Sequence, residues 1–169
     1  LAAHRLLKDS TSARALMLNA DCPCGGGELY ADCCRLLHQQ PSREATAEQV
    51  MRSRYSAYVL RDIAYLRESW HPKTLSAAPK PGEALETEWL GLRVLDHREN
   101  SDGDADVEFV AFFLDGGKIQ QLRERSRFER VDGVWRYVDG RFLPPVKLSR
   151  NDPCCCGSGR KQKKCHPEC

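Results

Sequence analysis

Apolar residues recur at three- and four-residue steps through Ala47, Val50, Met51, Tyr55, Tyr58 and Val59, the spacing that lines one face of an α-helix. Thr46 precedes that run and Gln49 follows three residues on, so the helix is predicted to open on a capping box. A second helix is predicted from Asp62, with Ile63, Leu66 and Trp70 as its stripe and an end at His71 imposed by Pro72. The stretch 78–82 carries two prolines and a glycine and reads as loop. Beyond it the period shortens. Strands are predicted over Trp89–Asp96, Val107–Leu114, Lys118–Val131 and Val134–Asp139, with turns at Asp115-Gly116-Gly117 and Asp132-Gly133. Helices first and an antiparallel meander after them give an α+β domain with helices on one face of a curved sheet.

The last hairpin can be registered from its turn. A two-residue turn pairs Val131 with Val134, Glu129 with Arg136, Phe128 with Tyr137 and Ser126 with Asp139. Arg125, Arg127 and Glu129 then share a solvent face with Arg136 and Val138. Leu122, Glu124, Ser126 and Phe128 share the inner face with Tyr137 and Asp139. A carboxylate such as Glu124 on an inner face must be paired, protonated or beside a wet cavity. The plainest expectation is an ion pair with an arginine.

The cysteines add two satellites to this domain. Cys22 and Cys24 are followed after eight residues by Cys33-Cys34; Cys154 and Cys156 are followed after eight residues by Cys165-His166. Both copies read C-x-C-x8-C-[C/H]. Thiolate and imidazole exchange freely as zinc ligands, whereas imidazole cannot replace a disulfide partner. Each copy therefore predicts a closed four-ligand metal site, with zinc expected and iron as the alternative. Cys155 and Cys169 are left over and are expected to be bystanders.

The chain has nine cysteines, an odd count, and shows no secretory apolar core, so a reducing cytoplasm is the expected location. The longest apolar run, Phe109–Leu114, is far short of a membrane span. Residues 1–19, with Met17 just before the first motif, are expected to be leader, cloning remnant or disordered extension. The modules are expected at 20–36 and 149–169, flanking a middle domain at 46–143 that folds without either metal. Gln39-Gln40-Pro41-Ser42 and Leu143-Pro144-Pro145 read as connectors.

The two modules differ in charge. Asp21, Glu28 and Asp32 against Arg35 give the first −2; Arg150, Arg160, Lys161, Lys163 and Lys164 against Asp152 and Glu168 give the second +3. Tetrahedral zinc with four thiolates adds −2, and with three thiolates and histidine −1, so the charged totals become −4 and +2. Only the second module, through Arg160, Lys161, Lys163 and Lys164, presents a cationic surface for an acidic protein or a phosphate backbone of nucleic acid or ribosome.

The tail from Arg150-Asn151-Asp152-Pro153-Cys154 to Cys165-His166 resembles the SEC-C metal motif of SecA, and Cys22-Pro23-Cys24-Gly25 to Cys33-Cys34 is a looser match. With Met51-Arg52-Ser53-Arg54-Tyr55, Ser69-Trp70-His71-Pro72, Thr87–Leu92 and Arg125-Ser126-Arg127-Phe128, residues 20–169 resemble the YchJ-like bacterial proteins. Cys155 departs from the motif, which has proline there. The resemblance implies a middle domain similar to nuclear transport factor 2. It also implies an adaptor whose modules engage export, chaperone or ribosome partners. The competing class is an enzyme or small-molecule binder that uses a pocket between sheet and helices. Trp70, Trp89, Ser126 and Tyr137 would line that pocket, and His71 with Glu124 or Asp139 would form an acid/base pair. No recognised catalytic motif is present, and the tryptophans and Tyr137 serve equally well as core.

Overall fold

The computed structural model describes residues 18–156 and 158–166; most of the 1–19 segment and Cys169 lie outside them. After a short helix α1 (Cys34–Gln39) come α2 (Ala47–Leu60) and α3 (Ile63–Glu68), then a 3-10 turn at Pro72–Ala77. Four strands follow in meander order: β1 (Glu88–Glu99), β2 (Asp104–Asp115), β3 (Lys118–Val131) and β4 (Val134–Leu143). The fold is α+β, as the sequence predicts. Among the described residues no helix is long and apolar enough to cross a membrane.

Local chemistry explains the helices. Thr46 Oγ1 accepts from the Gln49 amide at 3.1 Å while the Gln49 side chain accepts from the Thr46 amide at 2.8 Å, closing the capping box at the start of α2. Arg61 ends that helix in the left-handed region at φ 60°. Asp62 caps α3 by accepting from the Tyr65 amide at 3.0 Å. The helix ends three residues before the predicted His71, because Ser69 and Trp70 leave it to pair with β4. The Tyr137 amide donates to Ser69 O at 2.9 Å and the His71 amide to Tyr137 O at 2.7 Å.

The helix side of the sheet carries the main core, in which Val50 and Met51 of α2 pack on Val107, Phe128 and Trp135. The opposite face is divided. Near the β1–β2 turn end Glu108, its side chain 7 % exposed, is held by Arg123 and Arg125 at 2.5 Å each. Farther along, Val110 and Phe112 are covered by the C-terminal segment through Val146, Leu148, Cys154 and Cys155. Gln121 fixes that segment: its amide nitrogen donates to Val146 O at 3.3 Å and its oxygen accepts from the Val146 amide at 3.1 Å. The Leu143-Pro144-Pro145 connector thus leads back onto the sheet.

The hairpin register departs from the predicted one at one residue. Val131↔Val134, Glu129↔Arg136 and Phe128↔Tyr137 pair as expected, but a bulge then shifts the ladder, giving Arg127↔Asp139 and Ser126↔Gly140. The extra residue is Val138, which is 1 % exposed and not on the solvent face. Nothing in the alternation of residues announces a bulge, and one extra residue exchanges the faces of all that follow. Asp139 is consequently turned out, bonded to Arg127 at 2.7 Å, and Gly140 takes the inner position beside Glu124. A Cβ on Gly140 would overlap the Glu124 carboxylate.

Thr46→Ala should lower unfolding free energy by about 1 kcal/mol through loss of the cap. Arg61→Gly should raise it by about 0.5–1 kcal/mol by removing left-handed strain; denaturant titration reads both signs. Gly140→Ala should destabilise by about 1–3 kcal/mol through the clash with Glu124, and a neutral result in the same titration would show that Glu124 has another place to go.

Candidate functional site

The two cysteine motifs fold alike, residue for residue, at a constant offset of 132. In the first, the Cys22 amide donates to Glu28 O at 2.8 Å and the Tyr30 amide to Ala20 O at 2.9 Å. In the second, the Cys154 amide donates to Arg160 O at 2.7 Å and the Gln162 amide to Asp152 O at 2.8 Å. Isolated bridges Asp21↔Leu29 and Pro153↔Lys161 and 3-10 turns at Tyr30–Asp32 and Gln162–Lys164 complete the match. Gly27 and Gly159 occupy equivalent places with φ of 87° and 71°, so a glycine turns each knuckle where another residue would be strained. The turn then returns the chain so that its last two ligands face the first two.

Ligand atoms of Cys22, Cys24, Cys33 and Cys34 lie within 4.8 Å of one another, as do those of Cys154, Cys156, Cys165 and His166. Cys24 and Cys33 sulfurs are 3.6 Å apart, Cys156 and Cys165 sulfurs 3.5 Å, and Cys154 Sγ is 3.2 Å from His166 Nδ1. Tetrahedral bonds of about 2.3 Å require ligand separations of about 3.8 Å between sulfurs, so both clusters could hold a metal ion. The proton balance agrees. Hydrogen bonds from Cys24 and Cys34 hold the Cys22 thiol far below its ordinary range, while the bond given to Cys22 pushes Cys34 far above it, and burial lifts Cys33 to about 12. Four sulfurs so crowded cannot all ionise unless a cation joins them.

The surroundings orient these ligands. Arg160 Nη2 donates to Cys165 Sγ at 3.3 Å and Ser158 Oγ lies 3.5 Å from it; the Ser158 bond above all, then those of Cys156, Cys154 and Arg160, hold the Cys165 thiol down to about 6. Gln162, 2 % exposed, accepts from the Cys155 amide at 3.2 Å and donates to His166 O at 2.5 Å. Its counterpart Tyr30 donates to His38 Nδ1 at 2.8 Å, and because His38 Nε2 is 2.8 Å from Ser53 O, which only accepts, Nε2 carries the proton. Burial holds His38 below the ordinary imidazole range. Arg52 Nη1 donates to Cys24 O at 3.0 Å and Cys22 Sγ is 3.7 Å from Ser56 Oγ, so α2 carries the first module on its outer side. Arg93 Nη2 donates to Pro153 O at 2.7 Å and ties the second to β1. Gln162, Tyr30, His38 and Arg93 were not singled out in the sequence. The 132-residue offset would have flagged the Tyr30/Gln162 pair; the others carry no local signal.

Of the residues expected around a pocket, the structure unites only some. A cavity of about 310 Å3 lies between α2 and the sheet, with Trp89, Glu124, Ser126 and Tyr137 in its lining, joined by Arg54, Tyr55, Tyr58 and Phe142. Among the described residues Glu124 makes no arginine ion pair; its Oε1 accepts from Ser126 Oγ at 2.7 Å and Tyr137 OH at 3.1 Å. Trp70 lies behind, edge-on to Tyr137 at 4.7 Å. Arg54, 5 % exposed, has its guanidinium carbon 4.8 Å from the Trp70 ring and 4.4 Å from the Tyr137 ring. His71 caps the Pro72–Ala77 turn, accepting from the Lys73 amide at 3.1 Å, and faces Glu129 at 3.5 Å. Asp139 is on the other face of the sheet. The expected acid/base pair of His71 with Glu124 or Asp139 is therefore not formed. The bulge at Val138 removes Asp139, and the Tyr137 ladder bonds hold His71 at the sheet edge.

Residues 46–140 match the family model of the YchJ middle NTF2-like domain. A YchJ protein of the UPF0225 group from Shigella dysenteriae is 44 % identical over 151 residues, covering 85 % of this chain and 95 % of its own. A SEC-C motif protein from Rhodopseudomonas palustris superposes with a TM-score of 0.64 at 35 % identity, covering 74 % of this chain and 100 % of its own. A second, from Psychrobacter arcticus, gives a TM-score of 0.61 at 31 % identity over 89 % of this chain and 97 % of its own. The chain belongs to the YchJ family, an NTF2-like middle domain accompanied by SEC-C cysteine motifs.

Proposed function

We propose that the protein is a zinc-held adaptor in which Cys22, Cys24, Cys33 and Cys34 bind one ion and Cys154, Cys156, Cys165 and His166 another. The sulfur-rich, four-ligand donor sets favour zinc and leave no open position for substrate. Each ion fixes its eight-residue loop, and the scaffold holds the two loops in place. The carrying observation is what the equivalent loops display. Glu28, Leu29, Ala31 and Asp32 of the first correspond to Arg160, Lys161, Lys163 and Lys164 of the second, whose side chains are exposed. The C-terminal module therefore supplies a cationic surface and the N-terminal one does not. The partner expected there is a carboxylate-rich protein surface. No aromatic is interleaved with the lysines to stack on bases.

Arg160 has a second duty, since it donates to a ligand sulfur. The lysines alone are therefore the residues to reverse. Lys161→Glu with Lys163→Glu and Lys164→Glu should weaken partner capture by the metal-loaded protein roughly tenfold or more at low salt. The difference should fade as salt rises, because exposed charges are screened. Metal content should not change. Equal capture of the same partner across the salt series would place the docking surface elsewhere, and capture dominated by RNA would replace the protein partner with nucleic acid.

Metal analysis tests the ligands separately. Cys154→Ser with Cys156→Ser should remove one of two zinc equivalents and leave the N-terminal one. Retention of both equivalents would contradict the assignment.

A further inference from the structure

The cavity between α2 and the sheet is built from residues outside both cysteine clusters, and among the described residues no cysteine lines it. We propose that it is a binding site for a small organic ammonium ion with an apolar or aromatic body, anchored by Glu124.

The unmet demand in the cavity is for a cationic donor. Glu124 Oε1 takes two neutral hydroxyl donors, Ser126 and Tyr137. Its second oxygen takes no hydrogen bond among the described residues, and none of their ion pairs includes Glu124. The carboxylate lies against Gly140, whose missing Cβ makes room for it where Glu124 crosses β4, and the two hydroxyl bonds hold it there. A fixed, partly desolvated carboxylate with a vacant oxygen is best met by an N–H cation, whose charge-assisted bond is about twice as strong as a neutral one.

The walls suit the same ligand. Tyr55 and Tyr58 pack on Trp89 with ring centroids 5.9 and 6.3 Å away, and Phe142, 71 % exposed, stands at the rim. Ring faces attract cations, and the surrounding Met51, Phe109 and Leu122 would take an apolar body. A volume of about 310 Å3 is at the small end of ligand cavities.

Arg54 is the competing anchor, and it would select an anion. Two of its five N–H donors are taken, Nη1 donating to Leu66 O at 2.9 Å and Ser69 Oγ at 2.6 Å, and the rings of Trp70 and Tyr137 flank the guanidinium. An anion brought to it would also enter the field of Glu124. Arg54 serves instead to keep the deep end of the cavity ordered.

The test uses the full-length, metal-loaded protein and three probes of one shape: 2-phenylethylamine, 2-phenylethanol and phenylacetate. Their affinities are read from amide NMR shifts at neutral pH. The amine should bind with shifts at Glu124, Ser126 and Tyr137, the alcohol about tenfold or more weaker, and phenylacetate weakest. Glu124→Gln, which keeps an acceptor for Ser126 and Tyr137, should reduce the amine to the level of the alcohol. Leu122→Trp, which fills the chamber, should abolish binding of all three. The proposal is overturned if phenylacetate binds more tightly than the amine, if Glu124→Gln leaves amine affinity unchanged, or if the amine does not bind at millimolar concentration. The comparison of probes on the unaltered protein needs no variant and stands even if either substitution fails to fold.

Discussion

Crowding of soft ligands at both ends of the chain is the constraint on which the remaining architecture turns. Three or four sulfurs within 4.8 Å of one another repel as thiolates and are awkward neighbours as thiols. A divalent cation would resolve the conflict and convert two short loops into fixed shapes. Neither loop could bury a core from its own residues, and neither has to. The first rests on the outer side of α2 through Arg52, Ser53 and Ser56, and the second on the far face of the sheet through Val110 and Phe112. The helix-and-sheet core thus lies between the two.

This arrangement changes what the satellites are for. Val110 and Phe112 are 0 and 1 % exposed with the C-terminal segment in place, and removing it would uncover them. The module completes the burial of β2 while displaying Lys161, Lys163 and Lys164 outward. The expectation that the middle domain is self-sufficient therefore meets a physical cost at those two residues. The N-terminal module is tied more by polar contacts, the Tyr30–His38–Ser53 chain among them.

Much of this was legible in the sequence, and the failures have definite causes. The capping box at Thr46, the turn at Asp132-Gly133 and the length of β3 are local signals with local physics, and each appears where residue spacing places it. The repeated cysteine spacing located both clusters because metal ligands need only turn geometry. The pocket was half read: Glu124, Ser126, Trp89 and Tyr137 lie on elements whose face follows from alternation. Asp139 was lost to a single bulged residue, Val138, and His71 to pairing of the Ser69–His71 segment with β4. Both depend on contacts between distant parts of the chain. The burial of Arg54 was illegible for a different reason. An arginine in the middle of an amphipathic helix reads as solvent-facing, and Leu66 O, Ser69, Trp70 and Tyr137 together make its burial tolerable.

The central claim is that each cluster closes around one ion with its own four ligands. X-ray absorption at the zinc edge of the fully loaded protein measures that directly. One centre of four thiolates and one of three thiolates with an imidazole together predict an average ligand shell of three and a half sulfurs and half a nitrogen per ion, with Zn–S about 2.3 Å and Zn–N about 2.0 Å. A ligand shell rich in oxygen, or one with a sulfur count near two, would contradict the account.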